Sequence, residues 1–206
     1  MQGTVALMPT PLRAGEPVMH PGLVPWDPLG GRLLSPRRTG QWILLFLALG
    51  AAARLVRYFL CFPLWCDEGY LAVSFLERDY LGLTQGLPYV QVAPLWYLWI
   101  QLSLVKLLGF SELSLRLWSL LCGLASLPLF WHLARRLFCG TTLVLAVAVF
   151  SAAYPGIRYS AEAKPYAGDL LVSLILLSLA VEWFRAPHQS RWLWTLGAVS
   201  PLLLGL

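Results

Sequence analysis

Trp42-Ile43-Leu44-Leu45-Phe46-Leu47-Ala48-Leu49-Gly50-Ala51-Ala52-Ala53 opens an apolar run that continues through Arg54-Leu55-Val56-Arg57-Tyr58-Phe59-Leu60 to Leu64. About 20 residues of this kind suffice for a helix to cross a bilayer, so residues 42–64 read as a membrane span. The rest of the chain has the same character. Of its 206 residues 58% are hydrophobic and 12% charged, against the roughly 25% charged expected of a soluble domain, and the mean hydropathy is +0.67. The chain is therefore expected to be an integral membrane protein, an all-α polytopic bundle of membrane helices. Ten Trp and eight Tyr suit a chain that meets several membrane interfaces, where amphipathic rings sit at headgroup level. The formal charge of +5 is carried by Lys and Arg scattered between apolar runs, a pattern that orients a chain in a membrane rather than one that binds nucleic acid.

Further apolar runs place spans over about residues 113–133, 143–159, 166–184 and 192–206, with a less decisive stretch over 92–110. Residues 1–40 are rich in Pro and Gly, carry Arg13, Arg32, Arg37 and Arg38, and lack apolar periodicity. They read as a disordered tail, held in the cytoplasm by its arginines. Residues 41–206 form the membrane domain. If 92–110 crossed the bilayer, Arg135-Arg136 and the 185–191 turn would lie outside and Glu162 would face away from Asp67. If it lies in the outer interface, every arginine-rich turn falls inside and both acidic stretches fall outside, as the distribution of Lys and Arg in membrane proteins favours. The second arrangement is expected, with 92–110 as an outer interfacial helix.

Two stretches then carry the chemistry. Leu64-Trp65-Cys66-Asp67-Glu68-Gly69-Tyr70 places adjacent carboxylates just beyond the first span, and Tyr159-Ser160-Ala161-Glu162-Ala163-Lys164-Pro165-Tyr166 follows the third. With Arg116 and Arg158 they gather acids, bases and aromatics on one surface. Such a set suits a reaction in which a carboxylate takes a proton from a hydroxyl while Arg or Lys holds an anionic leaving group. Plainer readings exist for each part. Asp67 can cap a short helix beginning at Glu68, and Glu162 and Lys164 can belong to a solvated turn before Pro165. Arg54 and Arg57, three apart on one face, can snorkel to the outer headgroups or line a polar cavity. Asp169 is placed to face a cavity or to bond a neighbouring helix. Glu182 reads as a surface partner of Arg185, and His132 has no evident partner. Four Cys show no metal-binding repeat. Cys61 and Cys66 flank the end of the first span, where they can form a disulfide on an oxidising side or serve as small apolar residues.

The order of short motifs resembles the opening of a GT-C glycosyltransferase. They are Arg54-Leu55-Val56-Arg57, the Leu64 to Tyr70 stretch, Ala93-Pro94-Leu95-Trp96-Tyr97, and Gly109-Phe110-Ser111-Glu112-Leu113-Ser114-Leu115-Arg116-Leu117. Leu133-Ala134-Arg135-Arg136-Leu137-Phe138 and Tyr159 to Ala167 complete the series. The branch it looks like is family 39-like, kin to protein O-mannosyltransferases and the aminoarabinose transferase of lipid A, and the likeness covers about residues 54–180.

That resemblance implies a glycosyltransferase using a sugar on a polyprenyl phosphate, with inversion, on the extracytoplasmic side of a bacterial inner (plasma) membrane. Membrane lipid and the lipid-linked donor are the implied partners; the acceptor is a hydroxyl of unspecified origin. It makes Asp67 the candidate base with Glu68 beside it, and Glu162 a second acidic site residue. Arg116 and Lys164 are assigned to the donor phosphate, with Tyr70, Tyr166 and Arg57 as further substrate-binding candidates. Some relatives bind a divalent metal and others do not, so no metal ligand is assigned. Family members continue through further spans, so this sequence reads as an N-terminal portion. The competing classes are a membrane transporter component, whose polar groups tend to sit near the bilayer midplane, and a non-catalytic membrane partner.

Overall fold

The structure is a computed structural model that describes residues 35–203. Eight α-helices and no strand occur among these residues: α1 (Pro36–Phe59), α2 (Cys66–Glu77), α3 (Leu95–Leu108), α4 (Glu112–Leu137), α5 (Gly140–Ala152), α6 (Tyr154–Tyr159), α7 (Tyr166–Arg185) and α8 (Ser190–Leu203). The helical bundle expected from the apolar runs is what the chain forms. Helices α1, α4 and α7 are each long and apolar enough to cross a membrane.

The ends of the helices have local causes. Helix α1 starts before the long apolar run, because Ser35 accepts the Arg38 N–H at 3.5 Å and Pro36 occupies the first turn, where a missing N–H costs nothing. Residues 36–40 of the expected tail are thus helical, while the expectation for residues 1–34 lies outside the described residues. The helix stops short of Leu64: Cys61 takes a positive φ of 43°, and Phe62 and Pro63 leave it in non-helical conformation. The run expected as one span over 143–159 is two helices. Pro155 lies in the first turn of α6 and lacks the N–H that a continuous helix would need, so the chain breaks at Ala153. Helix α8 begins at Ser190, near the expected 192, and residues 204–206 lie outside the described residues.

Helix α4 is the central element, packed against α7, α1, α3 and α5; α1 also lies along α5, and α8 along α7. At one end of the bundle Ile43 of α1 meets Ala134 of α4 and Leu143, Val144 and Val147 of α5 in a buried cluster. Arg136 and Glu182 pair there at 2.9 Å, joining α4 to α7, and Arg185 donates to the Arg136 carbonyl. His132 also has a partner, with Nδ1 3.0 Å from Arg135 Nη2.

The opposite end holds the C-terminus of α1, the N-termini of α4 and α7, and α6. The Tyr58 hydroxyl donates to the Leu113 carbonyl at 2.8 Å, fastening α1 to the first turn of α4. Helices α2 and α3 form a separate layer here. Leu71, Ala72 and Phe75 of α2 pack with Tyr97, Leu98, Leu102 and Val105 of α3, Leu115 of α4 and Ala163, and Gln101 Nε2 donates to the Leu115 carbonyl. Because α2 and Ala163 share this cluster, the two acidic stretches are held at the same end. Large apolar side chains of α1, α5 and α7 point away from the bundle, among them Leu44, Leu49, Val56, Val149 and Leu177; exposed apolar area of that extent is lipid-facing in a membrane protein.

Candidate active site

The first turn of α2 sorts its two carboxylates into different environments. Glu68 turns back toward the start of its helix and accepts the Trp65 N–H at 2.9 Å, satisfying a backbone donor that the first turn leaves unpaired. Its other oxygen accepts the Ala163 N–H, and Arg116 Nη2 stands 3.8 Å from the oxygen that meets Trp65. The side chain is completely buried. Of the two carboxylates it is therefore Glu68, not Asp67, that reaches back to the N-cap. Asp67 points outward with 49% of its side chain exposed, and its Oδ2 lies 2.8 Å from Lys164 Nζ.

Lys164 comes from the bend between α6 and α7. That bend is anchored where Ser119 Oγ donates to the Lys164 carbonyl at 3.1 Å, and Gly123 of α4 permits its approach, since a methyl group there would overlap the Ser160 hydroxyl. Within the bend Glu162 is buried. Arg158 Nε donates to its Oε1 at 2.6 Å, and Lys164 Nζ is 3.7 Å from its Oε2. The result is one chain of charges running Asp67, Lys164, Glu162, Arg158. The Arg158 guanidinium lies over the Trp65 ring at 5.5 Å, which closes the circuit back to α2. The hydrogen bond from Lys164 holds the Asp67 carboxyl below the usual carboxylate range. For Lys164, burial opposes the charge, but the Asp67 hydrogen bond and the charges of Asp67 and Glu162 outweigh it and raise the pKa.

The remaining expected site residues divide. The Arg116 guanidinium is buried and engaged by protein: it donates to the Phe62 carbonyl at 2.6 Å and lies 3.6 Å from Glu112. Tyr166 stands beside the cluster, edge-on to Tyr159 at 4.8 Å, with Lys164 Nζ 5.8 Å from its ring centre. Tyr70 is exposed on α2 and stacks on Tyr89 at 4.5 Å. Arg57 lies over the Phe62 ring at 4.8 Å and enters none of the ion pairs found among the described residues. Its neighbour Arg54 has no exposed surface, so the two arginines of the first span occupy different surroundings. Cys61 and Cys66 are both free and exposed.

Arg158 and Trp65 are the cluster members to which the sequence alone assigned no role in the site. The spacing of Arg158 and Glu162, four residues, was a signal for their pairing; nothing local marks Trp65. Asp169 lies on α7 with Tyr166 and lines a cavity beside the bend. Glu162 lies in the bend before α7, not on that helix. Among the described residues no group of three His, Cys, Asp or Glu could hold a metal ion, and Asp67 and Glu162 are already paired with Lys164 and Arg158. The donor set does not fit a resident metal ion.

The fold defines a helical membrane protein whose ionised cluster sits at one end, among exposed aromatics. The model of the dolichyl-phosphate-mannose-protein mannosyltransferase family matches residues 92–205, more than half of the chain. The chain belongs to that family and is a membrane glycosyltransferase of the GT-C type. The match includes Arg116, Arg158, Glu162 and Lys164, while Asp67 and Glu68 precede it. No curated protein and no solved structure matches the chain.

Proposed function

We propose that the protein transfers a sugar from a polyprenyl phosphate to an acceptor hydroxyl, with inversion, on the extracytoplasmic side of the membrane. The observation that carries this reading is the Asp67–Lys164–Glu162 cluster: an exposed carboxylate held ionised by an ammonium, at the end of a bundle where a lipid headgroup would lie. Asp67 takes the proton of the acceptor hydroxyl as the acceptor oxygen bonds to the anomeric carbon. The bond from that carbon to the phosphate oxygen breaks, and its electron pair leaves with the lipid phosphate. Lys164, placed between the carboxylates, offers its charge to the oxygen that gains it, an effect worth more in a site shielded from water. Glu162 and Arg158 set the position of Lys164. Glu68 and Arg116, both buried and both bonded to protein, hold the Asp67 turn against the bend and support the site without touching substrate.

The same geometry supports a reading of the orientation. Both acidic stretches lie at one end of the bundle, and Arg135, Arg136 and Arg185 lie at the other. With the arginine-rich end cytoplasmic, the site is extracytoplasmic, the N-terminus is cytoplasmic, and α3 lies in the outer interface.

The test is transfer in proteoliposomes containing the full chain, a polyprenyl-phosphate sugar and an acceptor bearing a free hydroxyl. Wild-type protein is expected to consume the donor, and Asp67→Asn to lose the reaction by about 10²-fold or more, the scale of a general base, while folding normally. Passage of substrate across the vesicle wall without transfer would mark a transporter. Donor binding without turnover, even beside a larger transferase, would mark a non-catalytic partner. Undiminished transfer by Asp67→Asn would remove Asp67 from the reaction.

A further inference from the structure

A second cavity, of about 240 Å³, is a cleft between α3, α4 and α7. Asp169 borders it as well as the cavity beside the bend. Trp96 of α3, Trp118 of α4 and the rings of Pro94 and Pro165 give it flat apolar walls. Three polar groups border it without a protein partner. Among the described residues the Asp169 carboxylate accepts no hydrogen bond and forms no ion pair, and neither the Trp118 Nε1–H nor the Ser173 hydroxyl is hydrogen-bonded. Asp169 and Ser173 are exposed, and the Trp118 nitrogen keeps accessible surface, so all three are open to a ligand.

The helices bring these groups to one place. Asp169 and Ser173, four residues apart, share a face of α7. The indole nitrogen of Trp118 reaches the same helix one residue earlier, where a Cβ at Gly168 would stand 3.3 Å from it. Helix α7 is long and apolar enough to cross a membrane, and a carboxylate one turn into such a helix is costly unless something meets it.

The free groups define the chemistry of their ligand. Ionised Asp169 only accepts hydrogen bonds, the indole N–H only donates, and the serine hydroxyl does either. An ammonium ion would satisfy the carboxylate and leave the indole N–H facing a charge of its own sign. Sugar hydroxyls both donate and accept, and the C–H face of a sugar ring lies well on the electron-rich face of an indole. Aromatic walls with a few convergent polar groups are the general form of a small-molecule site.

The cleft adjoins the acceptor side of the proposed reaction. Pro165 directly follows Lys164, the ion-pair partner of Asp67. Tyr97, which also borders the cleft, belongs to the buried cluster that holds α2, the helix of Asp67. We infer that this cleft seats a sugar ring of the acceptor, so that the hydroxyl delivered to Asp67 belongs to a saccharide. The inference rests on the proposed reaction and names the class of its acceptor.

The experiment measures binding to the full chain in nanodiscs, without donor, of octyl glucoside, octyl mannoside and octyl galactoside, with octanol and octyltrimethylammonium for comparison. Wild type is compared with Asp169→Asn, Trp118→Phe and Ser173→Ala, each with its melting temperature. Wild type is expected to bind at least one glycoside about tenfold or more tighter than octanol, the scale of one hydrogen bond to a charged group. Asp169→Asn and Trp118→Phe should each cut that preference several-fold. Trp118→Phe keeps a ring in the wall and Ser173→Ala alters an exposed position, which keeps the inference testable if Asp169→Asn folds poorly. As a substrate of the transfer assay the preferred glycoside should outperform octanol, and Asp169→Asn should raise its KM more than it lowers kcat. The inference is overturned if glycosides bind no better than octanol, or if all three variants keep the wild-type preference. It is also overturned if octyltrimethylammonium binds tighter than every glycoside, since the cleft would then be a cation site. Wild-type protein that binds glycosides as expected but consumes no donor would count against the proposed reaction and leave the saccharide seat standing.

Discussion

Lys164 Nζ lies 2.8 Å from Asp67 Oδ2, an ion pair that joins the turn after the first long helix to the bend before α7. It makes two segments far apart in sequence into one site, and the behaviour of Asp67 depends on it.

The pH profile should show that dependence. The pKa of Asp67 is lowered, with the Lys164 hydrogen bond as the largest cause. A carboxyl with a depressed folded pKa stabilises the fold above its unfolded pKa and loses that contribution as pH falls through the folded value; at 49% side-chain exposure solvent screening keeps the effect small. In activity, Asp67 remains ionised at every pH above the ordinary Asp range, so kcat/KM should show no acid limb from it between about pH 5 and 8. Lys164→Met should raise any acid limb toward the ordinary carboxylate value. A limb that stays in place would mean that Lys164 does not set the ionisation of the base.

Glu68 and Asp67 should fail in different ways. Removing one member of a buried charge pair typically costs about 3–5 kcal/mol, and Glu68→Ala also strips acceptors from the Trp65 and Ala163 N–H groups. Thermal unfolding in detergent should therefore show Glu68→Ala clearly destabilised while Asp67→Asn melts like wild type. Should Glu68→Ala keep the wild-type melting temperature yet lose all transfer, Glu68 would belong to the chemistry.

Gly123 is a packing requirement of the site. A methyl group there would overlap Ser160, and overpacking of this kind costs about 1–3 kcal/mol. Gly123→Ala should lower the melting temperature and transfer together, and Ser160→Gly in the same chain should restore much of both. Failure of the second substitution to rescue the first would show that the bend does not need this contact.

Native cysteine offers a test of orientation. With Cys61, Cys122 and Cys139 replaced, the exposed Cys66 should react with a membrane-impermeant maleimide from outside intact cells. Arg135→Cys in a cysteine-free chain should react only after the inner face is opened. The reverse pattern would place the site in the cytoplasm.

The positions of the helices were readable because their causes are local. Apolar runs act on contiguous residues; the Ser35 cap that starts α1 at Pro36 and the break at Pro155 are equally local but were not read from the sequence. The other boundary error had a conformational cause: α1 ends at Phe59 because the backbone turns at Cys61, although the apolar run continues. Most of the candidate site was legible. Six of its expected residues, Asp67, Glu68, Glu162, Arg116, Lys164 and Tyr166, come together, while Arg57 and Tyr70 pair with Phe62 and Tyr89 instead.

By itself the sequence determined that this is a helical membrane protein, which stretches are apolar enough to be its helices, and that two acidic stretches lie between them, since hydrophobicity and backbone pairing act on contiguous residues. Only the tertiary structure decided which carboxylate faces water. Asp67 and Glu68 are adjacent and chemically alike, but side chains on successive helical positions point about 100° apart. The Ala163 N–H and the Arg116 guanidinium, both supplied by distant parts of the chain, meet one of them and not the other.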